Sequence, residues 1–124
     1  MNRYFLDTNA VISLFNGNHN IAKELQSAQW VGLSIITKLE FLAYPKITQP
    51  EIEQFNKFCE QLNIINLNDN DYLLINRCVK IRKEIGIKLP DAIIGAQALI
   101  NKAILVSSDT DFSKIPDLEI VNYL

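Results

Sequence analysis

Short runs of apolar, β-branched and aromatic residues alternate along the chain with longer segments whose apolar residues recur at helical spacing. That alternation is the feature that most restricts the fold, because it demands crossovers between neighbouring strands and so a mainly parallel α/β sheet. Arg3-Tyr4-Phe5-Leu6 reads as the first strand and Trp30 to Ile35 as the second. Ile64-Ile65-Asn66-Leu67 reads as the third, Ile104-Leu105-Val106-Ser107 as the fourth and Glu119-Ile120-Val121 as a fifth. Between them fall a helix from near Thr8, a short one spacing Ile21, Leu25 and Ala28, and one from about Thr37 to Tyr44, stopped ahead of Pro45. Thr48-Gln49-Pro50-Glu51 is a capping box that opens a helix with an Ile52, Phe55, Cys59, Leu62 stripe. A long helix from about Asp71 to Ile85 turns Leu74, Cys78, Ile81 and Ile85 inward and ends at Gly86. Pro90 opens a helix that is apolar nearly all round, and such a helix is buried.

With 124 residues and no repeat or linker, residues 1–124 form one domain, long enough to bury a core without disulfides or a structural metal. Cys59 and Cys78 lie on predicted helix faces outside any CxxC pair, and read as buried free thiols of a reducing compartment. No apolar stretch is long enough to span a bilayer. Asp7 and Asn9 interrupt what would have to be the apolar core of a signal peptide, so the expected location is the cytoplasm, with no membrane partner. The formal net charge of −2 does not advertise nucleic-acid binding. Yet Arg77, Lys80, Arg82, Lys83 and Lys88 place five of the twelve basic residues in one stretch, and affinity follows the local field. The plainer account of that stretch is a solvated helix face.

Asp7 ends the first strand and Asp109 follows the fourth, which puts both at the carboxyl edge of the sheet, where open α/β folds bind ligands. Asp91 lies in the first turn of the buried helix that feeds the fourth strand, so its end of that helix shares the same edge. Glu40, one turn into the helix after the second strand, reaches the same rim. Each acid has a plainer role available. Asp7 fits a helix N-cap, and Asp91 complements a helix dipole. Glu40 fits a capping box with Thr37, and Asp109 fits an ordinary turn. None of these explains why all four converge. Two carboxylates about 4 Å apart repel by roughly 4 kcal/mol at an effective dielectric near 20, so four together call for protonation, basic partners or a cation. An all-oxygen set suits Mg²⁺ or Mn²⁺. Zinc is disfavoured because His19 is the only histidine and sits in the polar Asn16-Gly17-Asn18-His19-Asn20 loop.

Four ordered elements carry a resemblance: Phe5-Leu6-Asp7-Thr8-Asn9; Ser34 to Phe41 around Glu40; Gly86-Ile87-Lys88-Leu89-Pro90-Asp91-Ala92-Ile93-Ile94-Gly95-Ala96-Gln97-Ala98; and Leu105-Val106-Ser107-Ser108-Asp109-Thr110-Asp111-Phe112. Nearly end to end the chain resembles PIN domains, specifically the VapC-type toxins of bacterial toxin–antitoxin pairs. The resemblance implies a single Rossmann-like three-layer α/β/α domain with a short parallel sheet of four to five strands. It also implies a metal-dependent ribonuclease site, a homodimer, and an antitoxin partner whose tail blocks the site.

On that footing Asp7, Glu40, Asp91 and Asp109 are the catalytic acids. Asp7, Asp91 and Asp109 are the metal ligands, with one ion or two. Asp111 stands as an alternative to Asp109, while Thr8 and Ser107 support the acids or their water. Arg82, Lys83 and Lys88 are expected to contact RNA phosphates. Two other readings compete with this one. A non-catalytic PIN-like interaction module would have no need of all four acids. A phosphoaspartyl enzyme of the dehalogenase type wants a second aspartate where Asn9 stands, and a receiver domain wants one ending the third strand, where the chain has Leu67-Asn68.

Overall fold

The structure is a computed structural model that describes residues 2–124. Five strands form one sheet in the order β3-β2-β1-β4-β5, every neighbouring pair parallel: β1 Arg3–Leu6, β2 Trp30–Ser34, β3 Asn63–Ile65, β4 Ile104–Val106 and β5 Ile120–Val121. The helices are α1 Thr8–Phe15, α2 His19–Gln26, α3 Ile35–Leu42, α4 Gln49–Glu60, α5 Tyr72–Ile85 and α6 Leu89–Ile100, with a 3-10 helix over Thr110–Lys114. This is the three-layer α/β/α arrangement expected from the sequence.

Each face of the sheet carries its own core. On one side Phe5 and Leu105 meet Leu74, Cys78 and Ile81 of α5, Ala92, Ile94, Ala96 and Ala98 of α6, and Phe112 and Ile115 beyond β4. On the other, Tyr4, Leu6, Leu33 and Val106 meet Ala10 and Val11 of α1, Ile21 of α2, and Phe55 and Cys59 of α4. Helix α3 straddles the edge, sending Ile36 into the first core and Phe41 and Leu42 into the second. Both cysteines are free and buried, one in each core, so the sheet stands between them.

Two glycines fix close approaches. A Cβ on Gly32 would collide with the Trp30 ring, which lies along β2 and carries the Arg3 guanidinium 4.3 Å from its centroid. A Cβ on Gly95 would sit 2.6 Å from Ile115 Cδ1, so its absence lets the segment after β4 pack tightly on α6. That contact brings the Asp109 turn beside the N-terminal end of α6.

Element ends differ from the sequence expectation where side chains cap the backbone. The second strand stops at Ser34, whose hydroxyl accepts from the Ile36 N–H at 3.1 Å; α3 therefore begins at Ile35 and ends at Leu42. The third strand ends at Ile65 because the chain leaves the sheet there, the Gln97 amide donating to the Ile65 carbonyl at 3.3 Å. Strand β4 stops at Val106, and Ala28 lies beyond α2. His19 opens the first turn of α2 behind an Asn18 cap instead of sitting in a loop. The Thr48–Glu51 capping box is present as read.

Gly86 ends α5 with a left-handed φ of +76°, and its N–H bonds to the Arg82 carbonyl at 3.1 Å. Gly86→Ala should lower stability by about 1 kcal/mol, since a Cβ is strained in that region. Urea denaturation followed by circular dichroism measures this, and an unchanged midpoint would refute the role given to Gly86.

Candidate active site at the carboxyl edge of the sheet

Asp7 leaves β1 and caps α1. Its Oδ1 accepts from the Ala10 N–H at 2.7 Å, and its Oδ2 accepts from Ser107 Oγ at 2.5 Å. The carboxylate is only 4% exposed. Burial pushes its pKa up; the two hydrogen bonds pull it down, and the neighbouring charges of Asp109 and Asp91 push it up again. Ser107 serves both sides of the edge, because its Oγ also accepts from the Asp109 N–H at 3.0 Å. One hydroxyl thus ties the end of β1 to the turn after β4.

Asp91 sits in the first turn of α6, where the helix dipole favours a negative charge. Its pKa is nevertheless raised, first by burial, then by Asp109 and Glu40, against the opposing pull of Lys88. Asp109 caps the 3-10 helix, its Oδ1 accepting from the Asp111 N–H at 2.9 Å. Glu40 stands at the exposed rim and accepts from Thr8 Oγ at 2.5 Å, while Thr37 Oγ lies 3.2 Å from that same Thr8 oxygen. The capping-box account of Glu40 is therefore corrected: Ser34 caps α3, and Thr37 is buried beneath the site. Capping by Asp7 and Asp109 is real, but it leaves acceptor capacity on each carboxylate.

The structure brings Asp7, Glu40, Asp91 and Asp109 to one edge, with Thr8 and Ser107 among them. Asp111 stands further out and pairs with Lys114 at 3.3 Å. Among the basic residues, Lys88 immediately precedes α6 and lowers the Asp91 pKa. Arg82 donates to the Ile87 carbonyl at 2.6 Å, bracing the α5–α6 turn, and Lys83 is exposed on α5. Sequence reasoning missed the part of Thr37, whose position three residues ahead of Glu40 imitates a cap. It gave no place to Phe41 or Tyr44. Phe55 is core, with Phe41 stacked on it at 4.1 Å between centroids, whereas Tyr44 is exposed. Beside Glu40 opens a cavity of about 610 Å³ whose lining includes Ile12, Phe15, Phe41, Tyr44, Ile47 and Glu51.

Among the described residues no three acidic, histidine or cysteine side chains close tightly enough to enclose an ion by themselves. The donor set still fits a hydrated hard cation. It is all oxygen, and burial first, then the neighbouring negative charges, raise the pKa of Asp7 and of Asp91. Mg²⁺ commonly keeps several waters and takes only one or two carboxylates.

The PIN domain model matches residues 4–118 of the sequence. The chain belongs to the PIN-domain family. Among solved structures, a chain of a toxin–antitoxin complex from Klebsiella pneumoniae shares 30% identity with this PIN domain at a TM-score of 0.80, covering 98% of each. A chain of VapBC from nontypeable Haemophilus influenzae shares 24% identity at a TM-score of 0.79, with 97% of each covered. One from DNA-bound VapBC of Salmonella typhimurium aligns over 100% of both at 19% identity and a TM-score of 0.81, which is likeness of fold. No curated protein sequence matched.

A carboxyl group whose pKa is raised on folding binds more protons in the native state, so its charge costs stability above that pKa, and the cost fades as pH falls through it. Asp7→Asn should therefore raise the melting temperature of metal-free protein at neutral pH, and the gain should shrink toward acidic pH. Calorimetry across that range tests the sign. A variant that melts lower at neutral pH would contradict the placement of Asp7 as a buried, crowded acid.

Proposed function

We propose that this PIN domain is a cytoplasmic, divalent-metal-dependent endoribonuclease, the toxin of a toxin–antitoxin pair, hydrolysing RNA phosphodiester bonds. The observation that carries the reading is the gathering of Asp7, Glu40, Asp91 and Asp109 from four separate segments onto one sheet edge, where burial and mutual repulsion raise the pKa of Asp7 and of Asp91. Such an arrangement costs stability unless a cation offsets it. Likeness to a toxin–antitoxin complex at 30% identity over nearly the whole chain supports the biological role.

Asp7 and Asp91 would hold Mg²⁺ or Mn²⁺, with Asp109 and Glu40 contributing directly or through water. When bound, such an ion lowers the pKa of a water and offsets charge on phosphoryl oxygens. The chain's own groups set the geometry. Ser107 fixes the rotamer of Asp7 and the backbone of Asp109, while Thr8 holds Glu40 toward the cleft. Asp109 is preferred to Asp111 as the fourth acid because its charge bears on Asp7, whereas Asp111 pairs with Lys114. Lys88, whose charge lowers the Asp91 pKa, would meet a substrate phosphate.

Purified protein should cut total RNA into discrete fragments with Mg²⁺ and not with chelator. Asp7→Asn and Asp91→Asn should each lose roughly 100-fold or more of that activity, and Lys88→Gln should weaken RNA binding and flatten its salt dependence. Full activity in Asp7→Asn would overturn the assignment. Folded protein that neither cleaves RNA nor binds Mn²⁺ would make the chain a non-catalytic interaction module.

The cavity beside Glu40 supports an antitoxin partner. Its apolar lining with two acids at the rim fits a segment bearing bulky apolar side chains and a cation, seated so as to cover the site. For a co-expressed cognate antitoxin, Tyr44→Glu should weaken capture by about 10-fold or more. Unchanged capture would remove the cavity from that role.

A further inference from the structure

Thr37 lies inside α3 and is wholly buried, a place where valine would fit without a polar atom to satisfy. A buried hydroxyl needs a partner, and in a helix a threonine ordinarily turns its proton to a carbonyl one turn back. Thr37 instead has its oxygen 3.2 Å from Thr8 Oγ, 29 positions away on α1. Ser34 caps α3 and so sets its phase, and Glu40 follows Thr37 by three residues, on the same face of the helix. Hydroxyl and carboxylate converge on the one Thr8 oxygen.

The direction of these bonds follows from counting protons. Thr8 has a single hydroxyl proton and two oxygens beside it. The Glu40 carboxylate, charged and at 2.5 Å, takes that proton ahead of the neutral Thr37 oxygen at 3.2 Å. The proton between the two threonines therefore comes from Thr37, and the chain of donors runs from Thr37 to Thr8 to Glu40. Donors in series polarise one another, which strengthens the last bond. Glu40 itself is exposed and, among the described residues, makes no ion pair; the Thr8 hydroxyl is what holds its carboxylate. Thr8, half-buried at the first position of α1, carries a hydroxyl that can rotate. Thr37 is the fixed end of the chain, because its burial within a helix leaves it one direction from which to donate.

We infer that Thr37 is a positioning residue for Glu40: acting through Thr8, its buried hydroxyl fixes the orientation in which Glu40 presents its other oxygen to the cleft. The role rests on the nuclease reading above, and adds to it a group that touches neither substrate nor metal. Thr8 directly follows Asp7, so the same contact ties α3 to the element that carries the first acid. Without the Thr37 hydroxyl, Thr8 turns freely and Glu40 with it.

Two substitutions separate positioning from packing. Thr37→Val removes the hydroxyl and keeps the branched shape, whereas Thr37→Ser keeps the hydroxyl and loses a buried methyl. Urea denaturation should find Thr37→Ser the less stable of the two, as the lost methyl requires. Function should run in the opposite order. With the full chain, Mn²⁺ alone as the titrated probe and total RNA as substrate, Thr37→Val should lose about 10-fold in Mn²⁺ affinity and in cleavage rate, while Thr37→Ser stays within about 2-fold of the wild type. In a Glu40→Ala background, Thr37→Val should leave the Mn²⁺ affinity unchanged, since the group it acts on is gone. A Thr37→Val protein equal to the wild type, or a Thr37→Ser protein as impaired as Thr37→Val, overturns the role of Thr37 and leaves the acids theirs. An effect of Thr37→Val that persists undiminished in the Glu40→Ala protein acts elsewhere and overturns the path through Thr8. A wild type that neither binds Mn²⁺ nor cleaves RNA brings down the nuclease reading itself, and this role with it.

Discussion

Negative charge crowded at the edge of a parallel sheet is the constraint on which the rest of this structure depends. Asp7 and Asp91 are partly withdrawn from water and lie within reach of Asp109 and Glu40, and their pKa values rise in consequence. A chain that keeps four acids in such a place must hold them with other interactions. Here those are two hydroxyl bridges, from Ser107 to Asp7 and from Thr8 to Glu40, and the first turns of α1 and α6. Hydrogen bonds from a hydroxyl or a backbone N–H to a carboxylate favour its charged form, so the same contacts that position the acids also keep them usable.

Behind that edge the packing is arranged for close approach. Parallel strands buried on both faces give the rigid floor, and small residues in α6 let neighbouring elements come near it. Gly95 is the clearest case, since a methyl group there would collide with the end of the Ile115 side chain, which packs against α6 beyond β4. Rigid elements hold such groups more accurately than loops do, and each acid here lies in a helix or within three residues of a strand end.

Much of this was legible beforehand, for local reasons. The strand cores, the Thr48–Glu51 box and the Gly86 stop are written in short-range chemistry, and the carboxyl-edge argument follows from topology alone. What escaped depends on contacts remote in sequence. Ile35-Ile36-Thr37 is a β-branched run that continues the pattern of β2, and only the turn of the chain over the sheet edge makes Ser34 a cap and buries Thr37. Asn18 is a sound cap signal hidden in a polar run, so His19 reads as loop. The basic stretch looks continuous in sequence, yet the fold disperses it. Arg77 faces a cavity shared with Lys102 and Asp117, Arg82 braces a turn, and the charge of Lys88 bears on Asp91.

The bond from Ser107 to Asp7 spans 100 positions of the chain, and Glu40 and Asp91 enter from two further segments. No contiguous fragment short of that span holds both ends of the site. A growing polypeptide can form β1, α1 and even the α5–α6 pair while the acids stay dispersed, and they assemble only when β4 inserts beside β1. Long-range closure of this kind is slow compared with local helix formation. For the ribonuclease proposed above, this order of events would keep the nascent protein harmless to the message and ribosome producing it, leaving a partner time to reach the finished surface first.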